Sequence, residues 1–120
     1  MRVILAALAV IAIVSFGSAP LHFIGTPAEP HQVEVTAKRF SYEPAEITVK
    51  KGEPVELILK SVDVPHGLKF RELNVEVKAG KGKTGEVEFT PEKTGDFVGH
   101  CSVFCGSGHG SMELTLHVVE

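Results

Sequence analysis

An all-β domain, built as a Greek-key β-sandwich behind an N-terminal apolar signal or anchor helix, follows from two features of this 120-residue chain. From Gln32 onward, apolar residues recur at every second position in short segments, which is the period of a half-buried strand. Between those segments lie KKGEP at 50–54, KAGKGK at 78–83 and TPEKTG at 90–95, all turn chemistry. About seven short antiparallel strands are expected, and no stretch longer than a turn carries a helical period.

The chain opens MRVILAALAVIAIVSFGSA: one Arg, an apolar run over residues 3–16, then small residues at 17–19. This is the layout of a secretory signal cut after Ala19. Pro20 is a poor neighbour for that cut, and apolar character resumes at Leu21, Phe23 and Ile24, so residues 3–24 also fit an anchor long enough to span a bilayer. Both readings place the domain outside the cytoplasm, with Arg2 inside. Residues 1–24 are therefore assigned to a signal or membrane anchor. Residues 25–31, with two prolines and no periodicity, form a linker, and residues 32–120 form the folded domain.

Within that domain the inward-facing sets are Val33, Val35 and Ala37; Ile47 and Val49; Val55, Leu57 and Leu59; Val87 and Phe89; and Met112, Leu114, Leu116 and Val118. A chain of this size builds one core. Its net charge of −3, with lysines and glutamates interspersed, points away from nucleic acid.

The chemistry concentrates in HCSVFCGSGHGSM at 100–112. Alternation puts Met112 on the same face as Leu114 and Leu116, and Cys101 on the same face as Phe97. Both point inward at one pole of the sandwich, beneath a loop at 102–110. A further ligand is expected from a second loop, SVDVPHGLKF at 61–70, where Pro65 fixes the backbone before His66 and Gly67 frees it after. The remaining histidines are set aside: His100 and His117 alternate outward, and His22 and His31 fall in leader and linker.

A disulfide between Cys101 and Cys105 would close a very small loop and stabilise little, and it would leave His66, His109 and Met112 without a role. The glycine spacing does not match a phosphate-binding fingerprint. Zinc accepts two thiolates and two imidazoles but has no use for a thioether. A single blue-copper ion uses two His, one Cys and a weak Met, a set that His66, Cys105, His109 and Met112 supply. Cys101 is then surplus, and two buried thiolates need cationic compensation, which two copper ions provide. Mononuclear copper and zinc stay open as alternatives.

The pattern C101-S-V-F-C105-G-S-G-H109-G-S-M112, with D63-V-P-H66-G upstream, resembles the binuclear copper (CuA) domain of cytochrome c oxidase subunit II and nitrous oxide reductase, from about Phe40 to the C-terminus. The resemblance implies a cupredoxin fold and a centre of two copper ions. Cys101 and Cys105 would bridge both ions, and His66 and His109 would each bind one. Met112 and the main-chain carbonyl of Val103 would be weak ligands. Many family members carry Glu where this chain has Val103, and use that carboxylate to hold magnesium. The chain has no Trp, the residue the family commonly uses to receive electrons from cytochrome c; Phe40 and Tyr42, in KRFSYEP, stand at its aromatic run.

With protein at every ligand position, such a centre offers no open site for a substrate, so the expected activity is one-electron transfer with no catalytic site of its own. His109, in a glycine-rich loop, is the expected edge where electrons pass. The partners implied are cytochrome c and a haem-copper oxidase catalytic subunit, with the membrane as a further partner if the leader is kept. The competing functions are a mononuclear cupredoxin, a copper-delivery protein and a zinc-stabilised module.

Overall fold

The computed structural model describes Gly17 and residues 29–120. The signal or anchor, Gly17 apart, and most of the linker lie outside the described residues. Nine strands make two facing sheets: β1 (His31–Lys38), β2 (Ser41–Glu43), β3 (Glu46–Lys50), β4 (Val55–Ser61), β5 (His66–Phe70), β6 (Val75–Ala79), β7 (Thr84–Phe89), β8 (Gly95–His100) and β9 (Glu113–Val119). The first sheet runs β2-β1-β4-β7 and the second β3-β9-β8-β5-β6. Two single-turn 3-10 helices, Arg71–Leu73 and His109–Ser111, are the only helical elements among the described residues.

The alternation read from the sequence becomes a core. Val35, Ala37, Leu57 and Leu59 from the first sheet face Leu68, Phe70, Leu114 and Leu116 from the second, and all eight are buried. Fully burying one such side chain contributes about 1.5–3 kcal/mol, so the face of each strand is fixed by its apolar set. Val33, Val87 and Phe89 are half-buried and pack against the core from the flank. Within the second sheet the core also needs a missing side chain: a Cβ on Gly99 of β8 would come within 2.7 Å of Leu68 and Phe70 on the neighbouring β5.

Three expectations are corrected. The sandwich is mixed rather than antiparallel, because β1 pairs in parallel with β4 and β3 in parallel with β9. An alternating pattern fixes which face a side chain takes but is blind to strand direction. The described residues form nine strands, since short β2 and the β5–β6 hairpin also pair. Finally, β1 starts at His31, whose N–H donates to the Pro54 carbonyl, so the sheet begins one residue inside the expected linker.

Candidate metal centre

Two segments deliver every expected donor. The first is the connection from β8 to β9, residues 101–112. It leaves β8 at Cys101 and re-enters the sheet at Met112, and the Cys101 N–H donates to the Met112 carbonyl across its neck. Inside it, His109 N–H donates to the Gly106 carbonyl and Ser111 N–H to the Gly108 carbonyl, which winds the His109–Ser111 turn. Gly106 sits at φ +136°, in the region that favours glycine, and the Phe40 ring lies against both Gly106 and Gly108 where side chains would otherwise stand.

The second segment carries His66, and here the structure differs from the expectation. His66 is the first residue of β5, fully buried, and pairs across the sheet with Ala79. Gly67 is likewise in the strand, and it gives close approach rather than freedom: a Cβ there would collide with Ser102 Oγ. The ligand loop therefore packs directly on the strand that holds His66.

These segments bring all six expected groups together in one line of contacts. His66 Nδ1 lies 4.0 Å from Cys101 Sγ, the two sulfurs are 3.7 Å apart, and Cys105 Sγ is 3.7 Å from His109 Nδ1. Each sulfur has one more neighbour: the Cys101 thiol reaches the Val103 carbonyl at 3.0 Å, and Cys105 Sγ lies 3.9 Å from Met112 Sδ. Both cysteines are free and buried, and Met112 is fully buried. Ligand atoms of His66, Cys101 and Cys105 all fall within 4.8 Å of one another, and His109 stands outside that set at the far sulfur. His100 and His117 point away, the first towards Glu113 at 3.7 Å, the second towards Asp96 at 2.6 Å.

The donor set fits a metal ion. Metal–thiolate bonds of about 2.3 Å opened to a tetrahedral angle separate two sulfurs by roughly 3.8 Å, close to the spacing found. Burial first, and then the neighbouring Cys101 thiol, push the Cys105 thiol up to about 11. Metal-free, it is a protonated and slowly reacting thiol at neutral pH; a metal must displace its proton.

Three residues whose roles sequence reasoning missed hold the donors in place. Asp63 Oδ1 accepts from His66 Nε2 at 2.7 Å and from the Val64 N–H at 2.8 Å, while Oδ2 accepts from the Arg39 N–H at 2.8 Å. Burial acts to raise the Asp63 carboxyl, but the Arg39 N–H, the His66 ring and the Val64 N–H together bring it down to about 2. Fixing Nε2 leaves Nδ1 directed at Cys101, the usual division of labour for a metal-bound imidazole. Tyr42, buried in β2, donates from its hydroxyl to the Gly67 carbonyl, and burial followed by the nearby Cys101 thiol keeps that phenol protonated. Arg39 Nε donates to the Cys105 carbonyl at 3.1 Å. Asp63 stands three residues before His66 in the sequence, a signal that could have identified it; Arg39 carries no such signal.

Comparison with known proteins gives the chain its family. The family described as the cupredoxin-like domain matches residues 4–112. Two Thermus thermophilus proteins, each a cytochrome c oxidase subunit 2, are 31% identical over 97 residues, or 81% of this chain. The match covers 72% of one and 58% of the other. The periplasmic domain of subunit II of cytochrome oxidase from Bradyrhizobium japonicum superposes with a TM-score of 0.70 at 21% identity, covering 79% of this chain and 88% of that one. The chain belongs to the cupredoxin-like domain family, in the lineage of cytochrome c oxidase subunit 2.

Proposed function

We propose that this protein is an electron-transfer module of the subunit II type, whose site takes two copper ions. Cys101, Cys105, His66 and His109 would hold the ions, with the Val103 carbonyl and the Met112 thioether as weak ligands. The observation that carries this reading is the two-ended order of the donors: each sulfur has its own imidazole and its own weak donor, and the sulfurs face each other at 3.7 Å. A mononuclear site needs its ligands around one point, whereas His109 lies outside the group formed by His66 and the two cysteines. Bound copper would supply a couple that gains and loses one electron at a time.

The chain's own residues suit that task. Asp63 holds the His66 ring, Tyr42 ties β2 to the strand behind it, and the core excludes water from Cys101, Cys105 and Met112. Ligands already placed before loading need little rearrangement when the charge changes. His109 is half-buried, and the Phe104 ring, 79% exposed, stands 5.6 Å from it between ring centres. That pair is the edge we assign to electron passage, with cytochrome c as donor and a haem-copper oxidase subunit as acceptor. The apolar leader and the likeness to a periplasmic domain support a site of action outside the cytoplasm.

Metal analysis of the copper-loaded full chain through repeated reduction and reoxidation tests this reading. Two copper ions per chain, retained through the cycles, are expected. Release of copper on reduction would instead mark a delivery protein, and uptake of zinc alone would mark a structural module.

A further inference from the structure

The dipeptide Arg39-Phe40, in the turn between β1 and β2, touches both segments that carry the donors. The Arg39 N–H donates to the carboxylate that holds His66, and Arg39 Nε donates to the carbonyl of Cys105 at 3.1 Å. The same Nε would stand 3.8 Å from a Cβ on Gly106, and Phe40 covers Gly106 and Gly108 beside it. Among the described residues no ion pair engages the Arg39 guanidinium. Asp63 gives its oxygens to two backbone N–H groups and to His66. A permanent cation thus lies across the backbone of Cys105 with no carboxylate of the described residues paired to it.

Resting on the copper reading above, we infer that Arg39 is a positioning and potential-setting residue: its guanidinium fixes the Cys105–Gly106 backbone and stabilises the more electron-rich state of the site. When an electron arrives from a donor protein, the site loses one unit of positive charge. A fixed cation a few Å away disfavours the more positive state and favours the reduced one. The reduction potential is therefore higher with Arg39 than without it. Arg suits this role because its planar fork stays charged at any physiological pH. The Arg39 residue is exposed, so its field is screened by added salt, with a range of about 10 Å at 0.1 M.

The test is the midpoint potential of the copper-loaded full chain, measured at low and high salt for the wild type, Arg39→Gln and Arg39→Lys. Arg39→Gln should lower the potential at low salt and leave copper content unchanged, Arg39→Lys should stay near the wild type, and the gap to Arg39→Gln should narrow as salt rises. Equal potentials for the wild type and Arg39→Gln would overturn the inference. So would equal falls in both variants without salt dependence, which would reduce Arg39 to backbone support. A wild type with no reversible copper couple would instead overturn the copper reading.

Discussion

Asp63 Oδ1 and His66 Nε2 lie 2.7 Å apart, and this contact aims the opposite ring nitrogen of His66 at Cys101. His66 is fully buried, so its ring has no water to replace a lost partner. Removing a carboxylate that orients a ligand imidazole lowers metal affinity by roughly 10–100-fold. Asp63→Ala should weaken copper binding by that order in a competition titration with a chelator. Unchanged affinity would remove Asp63 from the machinery of the site.

Gly67 lies beneath the ligand loop, where a side chain would meet Ser102. Gly67→Ala should destabilise the fold by about 1–3 kcal/mol, the usual cost of overpacking, and lower copper uptake by displacing Cys101. Ser102→Gly in the same chain should restore much of the loss, since it removes the colliding Oγ. Urea midpoints of the single and double variants measure both effects.

Met112 is both a core residue and the proposed weak ligand at Cys105. Met112→Leu conserves volume and should change stability by less than about 1.5 kcal/mol. The visible spectrum and the midpoint potential of the loaded protein should nonetheless shift. If neither moves, Met112 is packing alone.

His117 tests the electrostatics of the outer face of the second sheet, remote from the donor line. Its hydrogen bond to Asp96, assisted by Glu46, holds the imidazole above its ordinary value. A raised value in the folded state means the stabilisation is complete below the unfolded value of about 6.5 and is lost as pH rises through the folded value. Asp96→Asn should flatten that part of the stability profile. Urea midpoints from about pH 5 to about pH 9 would show it.

How far the sequence determined this picture differs by feature. The β4 and β9 faces were legible because Val55, Leu57 and Leu59, and Leu114, Leu116 and Val118, bury as their alternation demands. His66, Leu68 and Phe70 alternate in the same way, but Pro65 and Gly67 disguised β5 as a loop; Gly67 is there to admit Ser102, a contact between residues distant in the chain. Strand direction was not legible at all, hence the parallel pairs β1–β4 and β3–β9. At the site, donor chemistry singled out Cys101, Cys105, His109, Met112 and His66, since few other roles suit that combination. Arg39 was invisible because its effect depends on a contact with Cys105, 66 residues away. Tyr42 was visible as an aromatic, but its anchoring role on Gly67 emerges only once β2 and β5 are placed together.

The proposed function requires that two sulfurs, 3.7 Å apart in this structure, share a pair of copper ions once the site is loaded. The electron paramagnetic resonance spectrum of the fully copper-loaded chain decides this, because hyperfine splitting counts the copper nuclei that share the unpaired electron. A seven-line pattern is expected, from one electron spread over two equivalent nuclei. A four-line pattern, from an electron confined to one copper, would rule out the shared pair.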